Sequence, residues 1–329
     1  MGALTLLEMT TAEFARRRAP MIHQHAESLA VYSGVALRQA VTRAERETAK
    51  SLPDGPTTPG HLLRTAWVDG TEVGWVWASL PGHAAAEMAW IDEIMVDEKY
   101  RRRGYGRAIM EAIESELIDL GVPRLGLNVF GFNDVARRMY ERLGFEVTRQ
   151  QRARSLDSVP GALESPVTLV PITSADFQRR MESYLAATMA DFGLSAQAAQ
   201  EWIWRPLPHG LETEGAVLRA VFADDAEVGW VCYNVRHPDW PGYGWLYRLD
   251  IDPAYRSRGY GTATIAVVAA DMAARKLTRM GMTVPGRNAG ALRLAERLGF
   301  TPTAQQMVKP LTSPLPRAHR GSREFAEHG

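Results

Sequence analysis

The chain has 329 residues with 38 basic and 38 acidic side chains, so its net charge at pH 7 is zero. That length suits two domains better than one core, and the balanced charge argues against a general nucleic-acid or polyanion binder. A single cysteine, Cys232, excludes an internal disulfide and fits a reducing cytoplasm.

The opening "MGALTLLEMTTAEF" lacks the charged and then apolar pattern of a secretory signal, and no run of about 18 apolar residues occurs. A cytoplasmic protein without a membrane span is therefore expected. After a first strand, apolar spacing predicts helices over 12–26 and 37–50 and strands over 61–67, 72–79 and 89–96. A loop, "YRRRGYG" at 100–106, then leads into a helix whose Met110, Ile113 and Leu117 share one face. "RLGLNV" reads as a buried strand, and Asn133 stands where an N-cap belongs before a helix that ends at "LGF". His23 and His25 lie two apart on a helix and point away from each other, so no metal site is expected. Trp75, Trp77, Trp202 and Trp204 read as core or pocket wall.

Shifted by 155, the sequence matches itself without a gap over nearly a hundred residues. "LPDG" at 52 meets "LPHG" at 207, "EVGWVW" at 72 meets "EVGWVC" at 227, and "ERLGF" recurs at 141 and 296. Asn133 meets Asn288, and "YRSRGYG" at 255–261 repeats the loop. Nearer the start the offset is 163, as "LTLLEMTTAEF" meets "VTLVPITSADF", so the first copy carries about eight extra residues around its opening helices. The chain is a duplicated domain. The expected division is a first domain over 1–151, a polar linker over 152–166, a second domain over 167–311 and a loose tail over 312–329.

A strand that runs through Gly-x-Gly into a helix offers free backbone N–H groups and the positive end of the helix dipole, which suits a phosphate. Alone, the pattern also fits a plain tight turn; two copies at matched places favour phosphate. The P-loop signature is absent, and Ile109 and Thr264 stand where a dinucleotide fingerprint needs its third glycine.

The pattern of Arg101, Gly104 and Gly106 after "IMVDEKY", followed by Asn133, Tyr140 and "ERLGF", resembles the GCN5-related N-acetyltransferases (GNAT). The likeness covers both copies. It implies a mixed α+β fold of two tandem domains, each a mostly antiparallel sheet flanked by helices, with acetyl-CoA as cosubstrate. By the same resemblance, Arg101, Arg102, Arg103, Gly104, Tyr105, Gly106 and Arg107 would hold the pyrophosphate. Backbone groups of Ile94, Met95 and Val96, together with Asn133, would lie along the pantetheine arm. The second copy keeps Ile251, Arg256, Ser257, Arg258, Gly259, Tyr260, Gly261 and Asn288 for that purpose.

A primary amine of pKa about 10 is almost wholly protonated at neutral pH, so acetyl transfer needs a route for its proton and an acid for the leaving thiolate. Asp92, at the family's acidic position, is the first choice of base, with Glu93 second; alternation along a strand sends them to opposite faces. Two surface carboxylates at a strand end are the plain alternative. Tyr140 matches the tyrosine that many relatives place by the CoA sulfur, or is a core residue. In the second copy these three become Tyr247, Arg248 and Ala295. The first half is therefore expected to transfer acetyl to a small-molecule amine, as a monomer or homodimer. The alternatives are a mycothiol-synthase-like tandem enzyme, which would work in its C-terminal half, and a non-catalytic acyl-CoA-binding or sensing protein.

Overall fold

A computed structural model describes residues 2–83, 85, 87–157, 159, 165–236 and 241–311. The first copy runs β1 (Leu4–Glu8), α1 (Thr11–Ser33), α2 (Leu37–Ser51), β2 (His61–Val68), β3 (Thr71–Ser79), β4 (Ala89–Val96), α3 (Tyr105–Asp119), β5 (Arg124–Phe130), α4 (Asp134–Arg142) and β6 (Glu146–Ser155). The second repeats that order as β7 (Thr168–Pro171), α5 (Ser174–Phe192), α6 (Ala196–Trp204), β8 (Ala216–Ala223), β9 (Ala226–Asn234), β10 (Tyr243–Ile251), α7 (Tyr260–Ala274), β11 (Arg279–Pro285), α8 (Ala289–Arg297) and β12 (Thr301–Pro310). Mixed α+β architecture in two copies is what the sequence implied.

The change of offset has a visible cause. Thr10 caps α1 with Glu13 returning the bond, and Thr173 caps α5 with Asp176 at the matching place. Helix α1 then runs 23 residues against 19 for α5, and α2 runs 15 against 9 for α6. Helix α1 continues past the predicted end at 26 because Ile22, Ala26, Leu29 and Ser33 prolong its buried stripe to Gly34 in the left-handed conformation.

Two compact units share these elements. The smaller comprises Met1–Glu8, Gly60–Leu125 and Lys309–Gly329, and the larger Met9–Pro59 and Gly126–Val308. In the smaller unit β1, β2, β3 and β4 pair in that order, all antiparallel. Helix α3 packs on β1, β3 and β4, and the predicted stripe of Met110, Ile113 and Leu117 is wholly buried with Ile109. Each such side chain contributes roughly 1.5–3 kcal/mol. Arg64 holds Glu116 through two nitrogens, and Lys309 Nζ lies 2.6 Å from the buried Glu114, so α3 is also fixed by charge.

In the larger unit the strand order is β5-β12-β6-β11-β10-β9-β8-β7. The copies have exchanged their last strands: β12 of the second lies between β5 and β6 of the first, and β6 lies against β11. The exchange is symmetric. Gly131 N–H donates to Thr303 O and Gly286 N–H to Thr148 O, each at 2.8 Å, and the 155-residue shift converts one bond into the other. A Cβ at Gly131 would come 2.0 Å from Pro302 O, and one at Gly286 2.0 Å from Val147 O. Both clashes are with backbone, so Gly131→Ala and Gly286→Ala are each expected to destabilise the fold by about 1–3 kcal/mol, seen as a lower denaturation midpoint. A melt indistinguishable from wild type would mean the exchanged strands can shift.

Residues 152–155, expected to begin a linker, belong to β6. Arg152 is buried there and donates to Phe300 O, while Arg154 Nη1 donates to Leu298 O. These guanidiniums serve the carbonyl end of α8, which favours positive charge. Much of the remaining stretch, 158 and 160–164, lies outside the described residues, as does the tail from 312. Helices α1 and α2 pack with Ile22, Ala26, Leu29, Ala40 and Ala44 against Ala153, Tyr243 and Trp245, so the first copy's helices rest on a second-copy strand. Helices α5 and α6 cover β8 and β9 through Met181, Tyr184, Ile203, Leu218 and Trp230.

Candidate active site

Strand β4 of the smaller unit does not alternate evenly. Trp77 faces Glu93 across the ladder and Ala78 faces Ile91, so Asp92 is an extra residue in the register between them. This bulge interrupts the even alternation expected along the strand, because an inserted residue re-aims its neighbours. Asp92 is exposed and Glu93 partly covered. Burial, and then the repulsion of Asp92, pushes the Glu93 carboxyl up to about 8. Asp92 accepts a short hydrogen bond from Ser79 Oγ.

Ser79 is only 1% exposed and has a second neighbour, His61 Nδ1, at 3.2 Å. Trp77 Nε1–H donates to that same nitrogen at 3.0 Å. Neutral His61 therefore carries its proton on Nε2. Burial, then the adjacent His83, lowers the proton affinity of His61. None of His61, Trp77 or Ser79 was singled out for chemistry from sequence, because cross-strand neighbours leave no local pattern. The 155 shift held a signal: these residues become Ala216, Cys232 and Asn234, changing together with Asp92 and Glu93.

The loop after β4 enters α3 through Gly104, at φ 84°, with Arg102 also left-handed at φ 59°. Positive φ at both places turns successive amides outward, and the first turn of α3 leaves its own amides without helical partners. Residues 101–104 are all exposed. Arg101 is the exception to the charge expected around the loop, because its Nε donates to Val96 O at 3.2 Å and ties the loop to the strand end. Arg256 does the same to Ile251 O at 2.8 Å. Arg107 pairs with Glu111 at 2.8 Å, and Arg103 lies over the Tyr100 ring.

Asn133 and Tyr140 belong to the larger unit. Asn133 Oδ1 caps α4 by accepting Ala136 N–H at 3.1 Å, which leaves its amide hydrogens for another acceptor. Tyr140 is 5% exposed, its ring edge-on to Phe145, and burial pushes its hydroxyl up to about 12. Such a phenol keeps its proton throughout the working range.

The second copy reproduces the frame. Gly259 enters α7 at φ 86°, Ser257 is left-handed at φ 63°, and a Cβ on Gly259 would meet nothing within 4 Å. Asn288 caps α8 at Ala291 N–H. Strands β10 and β11 pair in parallel only from Tyr243 to Leu246. Beyond them lies a cavity of about 180 Å³ walled by Tyr184, Trp202, Tyr247, Arg248, Thr283 and Asn288. Tyr247 occupies a bulge like that of Asp92, since Leu246 and Arg248 take consecutive partners. Arg248 pairs with Asp191 and Asp250, and Arg149, from exchanged strand β6, lies 4.2 Å over the Trp202 ring. Ala295 stands where the first copy has Tyr140.

A bulged strand passing through a glycine loop into a helix N-terminus is thus built twice, with two neighbouring acidic residues in the first copy. The chain belongs to the Acetyltransferase (GNAT) family, whose profile matches residues 33–145 and again 179–300. It is 33% identical over 98 residues to the uncharacterized N-acetyltransferase YycN of Bacillus subtilis, which is 30% of this chain and 63% of that protein. It is 25% identical over 286 residues to a mycothiol acetyltransferase of Amycolatopsis mediterranei, covering 81% of this chain and 89% of that one. Its fold is similar to a GCN5-related N-acetyltransferase from Sphaerobacter thermophilus, with a TM-score of 0.58, 15% identity, and 94% and 96% of the two chains covered. The chain is an acetyltransferase. Among the described residues no helix is long and apolar enough to cross a membrane, and no cluster of three or more ligating side chains could hold a metal.

Proposed function

We propose that the first copy transfers acetyl from acetyl-CoA to a primary amine of a small molecule, directly and with both substrates bound. The observation that carries this reading is Glu93, a carboxyl whose proton affinity, near 8, lies close to the operating pH, as an efficient general base requires. Asp92, exposed and hydrogen-bonded to Ser79, is the better attraction for a cationic amine. Burial thus reverses the order of preference that position alone suggests.

Exposed amides at the left-handed Arg102–Gly104 turn fit a pyrophosphate, and so do those at Ser257–Gly259, where open space faces Gly259. Acetyl-CoA supplies the activated acyl group. The chain's own residues then hold the anion at the loop, offer backbone groups of Ile94, Met95 and Val96 to the pantetheine arm, and accept the amine proton at Glu93; in the family's arrangement a residue at the place of Asn133 also meets that arm. In the family's arrangement a tyrosine at the place of Tyr140 donates a hydrogen bond to the departing sulfur; with a hydroxyl near 12 it would stabilise a thiolate of thiol pKa about 8.5 without surrendering its proton completely.

Purified protein with acetyl-CoA and a panel of primary amines is expected to release free thiol and N-acetylated product, with initial-rate lines that intersect. Parallel lines together with an acetylated protein would point to a covalent relay and sink direct transfer. A second reading places transfer in the second copy, in the manner of the mycothiol acetyltransferase. The cavity beside Tyr247 and Asn288 favours it, and the absence of carboxylates at 247 and 248 weighs against it.

A further inference from the structure

We infer that the second copy's cavity is a binding site for a small aromatic carboxylate, its ring held among Tyr184, Phe192, Trp202, Trp245 and Tyr247 and its charge met by Arg149. Size, wall chemistry and unbalanced charge each point to that class of ligand.

The volume, about 180 Å³, is a little more than the roughly 150 Å³ that holds benzene in an engineered apolar cavity, so one ring with a short substituent fills it. Five of the lining side chains are aromatic, and such walls meet a ring edge-on or in offset stacks. Ala295 lines the cavity at the place that matches the buried Tyr140 of the first copy, so one phenol ring fewer enters the space.

The sign of the charge follows from the ion pairs. Arg248 pairs with Asp191 and Asp250, and Asp250 is shared with Arg256, which leaves that group of two arginines and two aspartates neutral. Arg149 stands outside it. It lies on β6 opposite Pro285 of the cavity wall, and its guanidinium carbon is 4.2 Å from the centre of the Trp202 ring. Its side chain donates no hydrogen bond and meets no carboxylate among the described residues. Burial alone lowers its pKa, to about 10, so it is charged at neutral pH. Lying over a ring occupies the face of a guanidinium and leaves its N–H edge for the two oxygens of a carboxylate. Arg149 is the first copy's contribution, delivered by the exchanged strand. The 155 shift turns it into Ala304, so β12 carries no such charge in return.

The test needs neither acetyl-CoA nor turnover, so its failure leaves the transfer reading standing. Full-length protein is titrated calorimetrically with phenylacetate, and with benzylamine and 2-phenylethanol as cationic and neutral counterparts. Phenylacetate is expected to bind at one equivalent, about tenfold or more tighter than either counterpart. Arg149→Gln should bring phenylacetate down to the level of 2-phenylethanol while the alcohol's own affinity holds, which shows the cavity intact. Arg149→Lys, which keeps the charge without the fork, should fall between wild type and Arg149→Gln. Ala295→Leu returns bulk to the cavity and should lose all three probes. Phenylacetate that does not bind, binds equally well in Arg149→Gln or in Ala295→Leu, or binds more weakly than benzylamine overturns the assignment.

Discussion

Glu93→Gln is expected to lower the acetyl-transfer rate by about 10²- to 10⁴-fold, the usual worth of a positioned general base, while acetyl-CoA affinity stays unchanged. Wild-type activity should rise with pH and level off above about 8, because the base form of Glu93 becomes the major one only there. That acid limb should vanish in the variant. Stability moves the opposite way. The unfolded glutamate ionises near 4.5, whereas the folded one keeps its proton to about 8. Between those values the folded state binds more protons, so stability falls as pH rises through the window. The penalty is complete above 8 and absent below 4.5. Glu93→Gln should therefore melt higher than wild type at pH 9 and similarly at pH 4. A variant both active and no more stable at high pH would show that the carboxyl is neither the base nor a buried acid.

Gly104→Trp is expected to abolish acetyl-CoA binding at the first copy and turnover with it, and Gly259→Trp to remove any binding at the second. Each glycine sits at a φ near 85°, which a tryptophan adopts only under strain, and the side chain stands before the amides that would meet a phosphate. Calorimetric titration of acetyl-CoA into wild type and both variants separates three arrangements. Two equivalents falling to one in each variant means two working loops. Binding lost only in Gly104→Trp makes the second loop a relic. Turnover lost only in Gly259→Trp moves transfer to the second copy, in the mycothiol acetyltransferase manner.

Much of this frame is legible in the sequence because it repeats. A 155-residue shift aligns strands, loops and N-caps, and Gly104, Gly259, Asn133 and Asn288 all adopt the backbone roles their residue types suggest. What the sequence conceals is pairing across strands. The bulge at Asp92 is a register event between β3 and β4, and period-two alternation cannot anticipate it. Burial of Glu93 is likewise set by neighbours distant in the chain, so position alone ranks Asp92 ahead of it. Arg152 and Arg154 look like linker arginines until the carbonyls of Phe300 and Leu298, almost 150 residues away, are found beside them.

The exchange of β6 and β12 has a consequence for the history of the chain. Each copy completes its sheet with a strand encoded in the other, so neither can be discarded once the two are joined. The second copy carries Tyr247 and Arg248 where the first has Asp92 and Glu93, yet its Gly286 and its β12 strand stay fixed against the backbone of the first copy. In this sense the duplicated chain resembles a strand-swapped dimer whose two members have been joined end to end.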